Sequence, residues 1–270
     1  MTSRFLAAAV QMGAGADKAA NRATAGDLAR RAAERGAALI VLPEVFNWRG
    51  AGAEELAAAE PIPGPTSEWL SGLARELGVV LVGGSLLERA PGMAKVYNTC
   101  AVFDRHGALL ATYRKLHLFD VDIAGHVSAR ESETRAPGAE VVAVTTELGT
   151  LGLSVCYDLR FPELYRRLTA AGAEILCVPA AFTFPTGAHH WEVLLRARAI
   201  ENQCYVVAPN QIGRNSSGVP DFGHSMIVDP WGTPIARASN QPSAIVAEID
   251  RDYLARVRRE LPSLTHRTLP

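Results

Sequence analysis

Two stretches of this chain read almost alike, and that likeness constrains the fold more than any other feature. Arg35-Gly-Ala-Ala-Leu-Ile-Val-Leu-Pro43 lines up with Ala171-Gly-Ala-Glu-Ile-Leu-Cys-Val-Pro179, and each is followed three residues later by a phenylalanine, Phe46 and Phe182. The turns Asp104-Arg-His-Gly107 and Asp229-Pro-Trp-Gly232 recur in corresponding places. Repetition of this kind marks related supersecondary units. Each half would supply a sheet covered by helices on one face, and the two bare apolar faces must bury each other. The expectation is an α/β fold, a four-layer α-β-β-α sandwich of two pseudo-repeated halves, in one domain spanning 1–270.

Local patterns agree. Residues 1–10 read as a first strand, too short and too interrupted at Gln11 for a signal peptide. Residues 17–35 read as a helix that Asp17 caps and Gly36 stops, and 66–77 as a second, stopped by Gly78. Apolar runs at 38–42 and 79–82 have the length and composition of buried strands. Strands at 97–103 and 108–113 flank the first Asp-x-x-Gly turn. In the second half the order is strand (150–155), helix (164–171), strand (174–178), helix (189–203) and strand (205–208). Strands at 225–228 and 233–236 then flank the second turn. Residues 213–221 read as a polar loop, and 256–267 as a short basic helix face and coil.

Charge and composition exclude several classes. With 27 Lys+Arg against 28 Asp+Glu, the formal charge of −1 offers no footprint for nucleic acid. No apolar run approaches the roughly 18 residues that cross a bilayer. Four cysteines without a CxxC pair argue against a disulfide framework or a zinc knuckle, and for a cytoplasmic protein. His117, His189 and His190 lack metal-ligand spacing, so no metal and no cofactor are expected; His117 could instead brace Lys115.

Cys156 ends an apolar strand and opens a turn before Pro162, where a sulfur can sit in a cleft mouth. A strand cysteine is also an ordinary small core residue, which suits Cys100, Cys177 and Cys204. Glu44 follows a buried strand at the edge where α/β sites gather, and Lys115 ends another. Each alone reads as a salt-bridged acid or a solvated base. Brought together, thiol, carboxylate and ammonium would form a complete nucleophilic site, since a nearby cation lowers a thiol's pKa and a carboxylate can take its proton. Phe182 and Thr183 follow the strand opposite Glu44 and should border the pocket. Arg160 either anchors a substrate carboxylate or pairs with Asp158 or Glu163; Arg49 is either a second anchor or a solvated loop residue. Ser154 lacks the glycine that a serine-hydrolase elbow needs after it.

Leu42-Pro-Glu44, Arg114-Lys-Leu-His-Leu-Phe-Asp120 and Gly152-Leu-Ser-Val-Cys-Tyr-Asp-Leu-Arg-Phe-Pro-Glu163 resemble the three signatures of the nitrilase superfamily of carbon–nitrogen hydrolases, in order and across the whole chain. The 190–203 segment and Asp229-Pro-Trp-Gly232 resemble the Nit-type amidases, the branch acting on ω-amides and deaminated glutathione. The resemblance implies Cys156 as nucleophile, Glu44 as general base, and Lys115 with the Tyr157 N–H as oxyanion donors. It implies Glu131, rather than the nearby Glu133, as a second glutamate positioning the substrate and Lys115. It further implies a small linear amide as substrate and a homodimer or larger homo-oligomer. A nitrile or N-carbamoyl amino acid remains an alternative within the superfamily, and a catalytically silent scaffold an alternative outside it. The loop Asn47-Trp-Arg-Gly50 departs from the ω-amidase pattern, which has a tyrosine after the base glutamate.

Overall fold

The computed structural model describes residues 3–268; Met1 and Thr2, placed in the first strand by the sequence, lie outside the described residues. The first half runs β1 (Arg4–Gln11), α1 (Lys18–Glu34), β2 (Ala37–Val41), α2 (Glu55–Ala58), α3 (Pro65–Leu77), β3 (Val80–Val82), β4 (Leu86–Glu88), β5 (Tyr97–Phe103) and β6 (Leu109–Arg114). A hairpin of β7 (Asp120–Ile123) and β8 (Val127–Arg130) leads into the single turn α4 (Glu131–Thr134). The second half runs β9 (Ala143–Thr146), β10 (Gly149–Leu153), α5 (Pro162–Ala170), β11 (Ile175–Cys177), α6 (Phe184–Asn202), β12 (Tyr205–Ala208), β13 (Met226–Val228) and β14 (Pro234–Arg237). It closes with β15 (Ser243–Asp250) and α7 (Arg251–Glu260).

The repeat is real in three dimensions. In the first half β1, β2 and β3 lie parallel, with α1 and α3 as crossovers. In the second, β10, β11 and β12 lie parallel, with α5 and α6 as crossovers. Each set then continues through an antiparallel hairpin, β5–β6 or β13–β14. The two Asp-x-x-Gly turns match: Asp104 Oδ1 accepts from the N–H groups of His106 and Ala108 at 2.9 and 2.8 Å, and Asp229 Oδ1 from those of Trp231 and Thr233 at 2.9 and 2.8 Å. Gly36 and Gly172 both follow a crossover helix with left-handed φ of 88° and 93°, a conformation that costs any residue with a Cβ.

Strand alternation builds the layers. In the first sheet Ala7, Leu39, Val41, Val80 and Val82 pack inward with Leu151, Leu153, Ile175, Cys177 and Val207 of the second. Their neighbours Ala8, Ile40, Leu42 and Leu81 face outward onto Leu28 of α1 and Leu70 and Leu73 of α3. Trp191, Leu195 and Ala199 of α6 join the second sheet. The four-layer α-β-β-α sandwich is therefore the observed fold.

One expectation needs correction: the halves are not self-contained. The strand order of the first sheet is β15-β1-β2-β3-β5-β4, so a strand from the end of the chain completes the sheet begun at its start. β15 pairs antiparallel with the whole length of β1. Without it β1 would present a long unpaired edge. The helix expected from 189 begins at Phe184 instead, because Pro185 suits a first helical turn.

Candidate active site

Glu44, Lys115 and Cys156 follow β2, β6 and β10, so the topology delivers all three to the ends of strands. Two are set by unusual backbone. Cys156 has φ 51° and Val45, beside Glu44, has φ 44°, left-handed conformations that are uncommon outside glycine. Glu44 is 3% exposed, Lys115 1% and Cys156 8%.

Lys115 Nζ stands 3.0 Å from Glu44 Oε1 and 2.9 Å from Glu131 Oε2. Glu44 is held on both oxygens: Asn98 Nδ2 donates to Oε1 at 2.8 Å and the Ala181 N–H to Oε2 at 2.9 Å. Glu131 accepts from the Phe119 N–H at 2.9 Å and from Arg135 Nη1 at 2.6 Å. Arg135 in turn pairs with Glu55, which also accepts from Thr134 Oγ1 at 2.7 Å. The result is an alternating run of charges, Glu44–Lys115–Glu131–Arg135–Glu55, along one wall.

The electrostatics follow from burial and these neighbours. Burial works against the Lys115 ammonium, but the Glu131 and Glu44 carboxylates outweigh it and hold its pKa well above the ordinary lysine range. Burial likewise works against the Glu131 carboxylate, yet Lys115 and Arg135 pull it down to about 2. Cys156 goes the other way: burial first, then the Glu44 charge, push the thiol well up, against the opposing pull of Lys115. Lys115 does pull the thiol down, as the sequence leads one to expect, but burial and the Glu44 charge outweigh it. The sulfur keeps its proton at rest, so an adjacent base is required.

A cavity of about 540 Å³ opens over the sulfur. Of the residues named from the sequence, Glu44, Arg49, Lys115, Glu131, Cys156, Tyr157, Arg160, Phe182 and Thr183 line it, whereas Ser154 and His117 do not. Segments 127–135 and 215–219 add further wall. Glu133 lines the cavity too, but Lys115 pairs with Glu131 instead.

The arginines resolve differently. Among the described residues no carboxylate pairs with Arg160. Its guanidinium lies 5.0 Å over the Phe182 ring and 5.7 Å over that of Tyr157, with Nη1 3.1 Å from His190 Nδ1. Burial and the Arg160 charge push His190 below its usual range, so its ring nitrogen is free to accept. Arg49, by contrast, is taken: Asp221 grips it through both carboxylate oxygens, because the loop at 213–221 folds back over the first-half loop. It is paired rather than solvated, and it lines the cavity. Ser154 is fully buried, with its hydroxyl bonded to Cys177 O and to Tyr165. Among the described residues no cluster of three or more His, Cys, Asp or Glu could hold a metal ion, and no helix is long and apolar enough to cross a membrane.

Asn98, Arg135 and Glu55 escaped the sequence reading. Arg135 had a signal, since it stands at i+4 from Glu131 on a short helical turn; Asn98 and Glu55 had none.

The fold and cavity suit a hydrolase of carbon–nitrogen bonds, and similarity to known proteins shows that class. The chain belongs to the carbon–nitrogen hydrolase family, whose model matches residues 6–259. It is 47% identical over 267 residues to human deaminated glutathione amidase, covering 97% of this chain and 82% of that protein. It is 41% identical to the zebrafish (Danio rerio) omega-amidase NIT2, covering 96% and 93%. The solved structure of the C. elegans NitFhit protein superimposes with a TM-score of 0.92 at 41% identity; it spans 99% of this chain, and this chain spans 66% of that longer one.

Proposed function

We propose that this chain is a cysteine-dependent amidase for a small α-keto acid ω-amide, with deaminated glutathione or α-ketoglutaramate as substrate. The observation that carries the reading is the Glu44–Lys115 contact at 3.0 Å beside a protonated, cavity-facing Cys156.

The chemistry follows from what an amide demands. Glu44 takes the Cys156 proton as the sulfur attacks the carbonyl carbon, and the C=O electron pair moves to oxygen. Lys115 and the Tyr157 N–H face that oxyanion; losing one such donor typically costs about 2.7–4 kcal/mol. Glu44 returns its proton to the nitrogen, the C–N bond breaks, and a thioester remains. Water, deprotonated by Glu44, then attacks the thioester, and the thiolate leaves and recovers its proton. Base catalysis of this kind contributes roughly 10²–10⁴-fold. The leaving group distinguishes the two substrates: a primary ω-amide releases ammonia, whereas deaminated glutathione releases a dipeptide amine.

Arg160 supports a carboxylate on the acyl portion, because a half-buried guanidinium with no acid paired to it among the described residues is suited to bind one. The exposed Val193 and Ile200 on α6 support pairing with a second copy through that helix. We further read the chain as a single domain and a cytoplasmic enzyme.

The test is product release from deaminated glutathione, α-ketoglutaramate, a nitrile and an N-carbamoyl amino acid, with ammonia and free amine measured separately. Turnover of the first or second alone supports the reading. Turnover confined to the nitrile or carbamoyl compound defeats it, and no turnover with any of the four favours the scaffold.

A further inference from the structure

Asp158 is completely buried two residues after the nucleophile, and the mechanism above makes no use of it. Its oxygens are fully engaged. Oδ2 accepts from the Val155 N–H at 2.8 Å and from the Tyr113 hydroxyl at 2.7 Å. Oδ1 accepts from the His117 N–H at 3.0 Å and lies 2.7 Å from His117 Nδ1. The His117 ring is stacked on Phe161 at 3.6 Å between centroids, 6° from parallel, so it is not free to swing away.

The arrangement has a pattern. Tyr113 and His117 bracket Lys115 at two residues on either side, and Val155 immediately precedes Cys156. One carboxylate therefore ties the strand end that carries the ammonium to the turn that carries the sulfur. Asp158 N–H also donates to Val155 O at 3.1 Å, closing the tight turn in which Cys156 adopts its left-handed φ of 51°. A conformation of that kind persists only where its surroundings over-determine it. Burial and the Asp158 charge both push the Tyr113 phenol up, so it stays a donor.

We infer that Asp158 is a positioning residue for the amidase reaction: it sets the Cys156 sulfur against the Lys115 ammonium by clamping both segments to one carboxylate. The inference rests on the roles proposed above for Cys156 and Lys115. Among the described residues Asp158, Tyr113 and His117 form no part of the cavity wall, so none of them touches substrate. The clamp is specific to a carboxylate. Each oxygen accepts from a main-chain N–H that cannot reverse its polarity, so an asparagine in either orientation turns its amide nitrogen toward a donor.

The experiment compares Asp158→Asn, Tyr113→Phe and Cys156→Ala with Leu28→Ala, a control on α1 in the outer core. Melting temperature, kcat and KM on deaminated glutathione, and the rate of Cys156 alkylation by iodoacetamide are measured for each. Asp158→Asn should lower kcat about 10²-fold, the loss typical of a reacting group displaced by about 1 Å. KM should stay near wild type, and the alkylation rate should change. Leu28→Ala should lose melting temperature while keeping wild-type kcat and alkylation. The inference is overturned if Asp158→Asn keeps wild-type kcat, or if Leu28→Ala loses kcat in the same proportion to its melting temperature. If Asp158→Asn does not fold, Tyr113→Phe decides: it removes the 2.7 Å bond to Asp158 and a longer one, 3.3 Å, accepted from the Leu116 N–H, leaving the carboxylate in place, and an unchanged kcat there overturns the clamp. Activity surviving in Cys156→Ala would defeat the parent reading instead, leaving the two failures distinguishable.

Discussion

Arg49 and Asp221 meet across 172 residues of chain and fasten the two halves of the protein together beside the cavity. Their side chains are 10% and 1% exposed, and Arg49 Nη2 reaches Asp221 Oδ1 at 3.1 Å. Arg49 sits in the loop after Glu44, and Asp221 ends the loop whose residues 215–217 line the cavity. The same loop is stitched to the start of α6 by the Phe184 N–H donating to Pro220 O at 2.8 Å. A buried pair of this kind is dangerous to break singly. Asp221→Ala strands the guanidinium and should cost about 3–5 kcal/mol. Joint replacement by apolar residues, Arg49→Met with Asp221→Leu, should recover most of that loss. Urea denaturation of the singles and the double gives the coupling directly; simple additivity would show the pair to be inert.

Cys156→Ala should abolish turnover, and Glu44→Gln should lower kcat by about 10²–10⁴-fold, the range expected for loss of a positioned base. The second effect is sharpened by the resting state of the thiol: burial and the Glu44 charge hold the proton on sulfur, so the nucleophile proposed at Cys156 depends on the base proposed at Glu44. Steady-state kinetics with a folding control by circular dichroism would check both.

Glu131 links the site to acid stability. Its folded-state carboxyl lies near 2, below the ordinary 4.5, because Lys115 and Arg135 favour the anion despite burial. A depressed acid contributes stability that is fully present above the unfolded value and is lost as pH falls toward the folded one. The wild type should therefore lose stability between about pH 4.5 and 2. Glu131→Gln should show a shallower dependence across that interval. Unfolding free energies measured at stepped pH would reveal it, and parallel curves for the two proteins would contradict the assignment.

Arg160→Met should raise KM for an amide whose acyl portion carries a carboxylate. Charge-assisted hydrogen bonds contribute about 1.5–3 kcal/mol, which corresponds to roughly 10- to 100-fold in affinity. For the uncharged amide of the same length KM should hardly change. Equal losses on both substrates would mean that Arg160 shapes the pocket, through its stacking on Phe182 and Tyr157, and does not read charge.

Much of this site was legible before any coordinates. Glu44 and Cys156 stand where buried apolar runs stop, Lys115 ends a half-exposed strand, and the three motifs that resemble the carbon–nitrogen hydrolases single these residues out. The repeat around Pro43 and Pro179 carried the rest of the architecture, since two sheets with matching crossover helices have one economical way to bury their bare faces. Local chemistry also announced the turns: an aspartate followed three residues later by a glycine caps its own loop, and did so twice.

What escaped was whatever depends on distant segments meeting. Ser243–Asp250 alternates too weakly to proclaim a strand, with one fully buried residue, Ile249, in its length; only the open edge of β1 gives it a role. Asn98 is an unremarkable polar residue in a strand until Glu44 arrives beside it. Arg49 had two readings in the sequence, and its pairing with Asp221 removes the solvated one. Sequence alone thus determined which residue types end which strands, and the resemblance of three motifs pointed to three of them for chemistry. The tertiary structure decided their charge states and their partners, because burial and the distance between opposite charges exist only once the two halves have closed on each other.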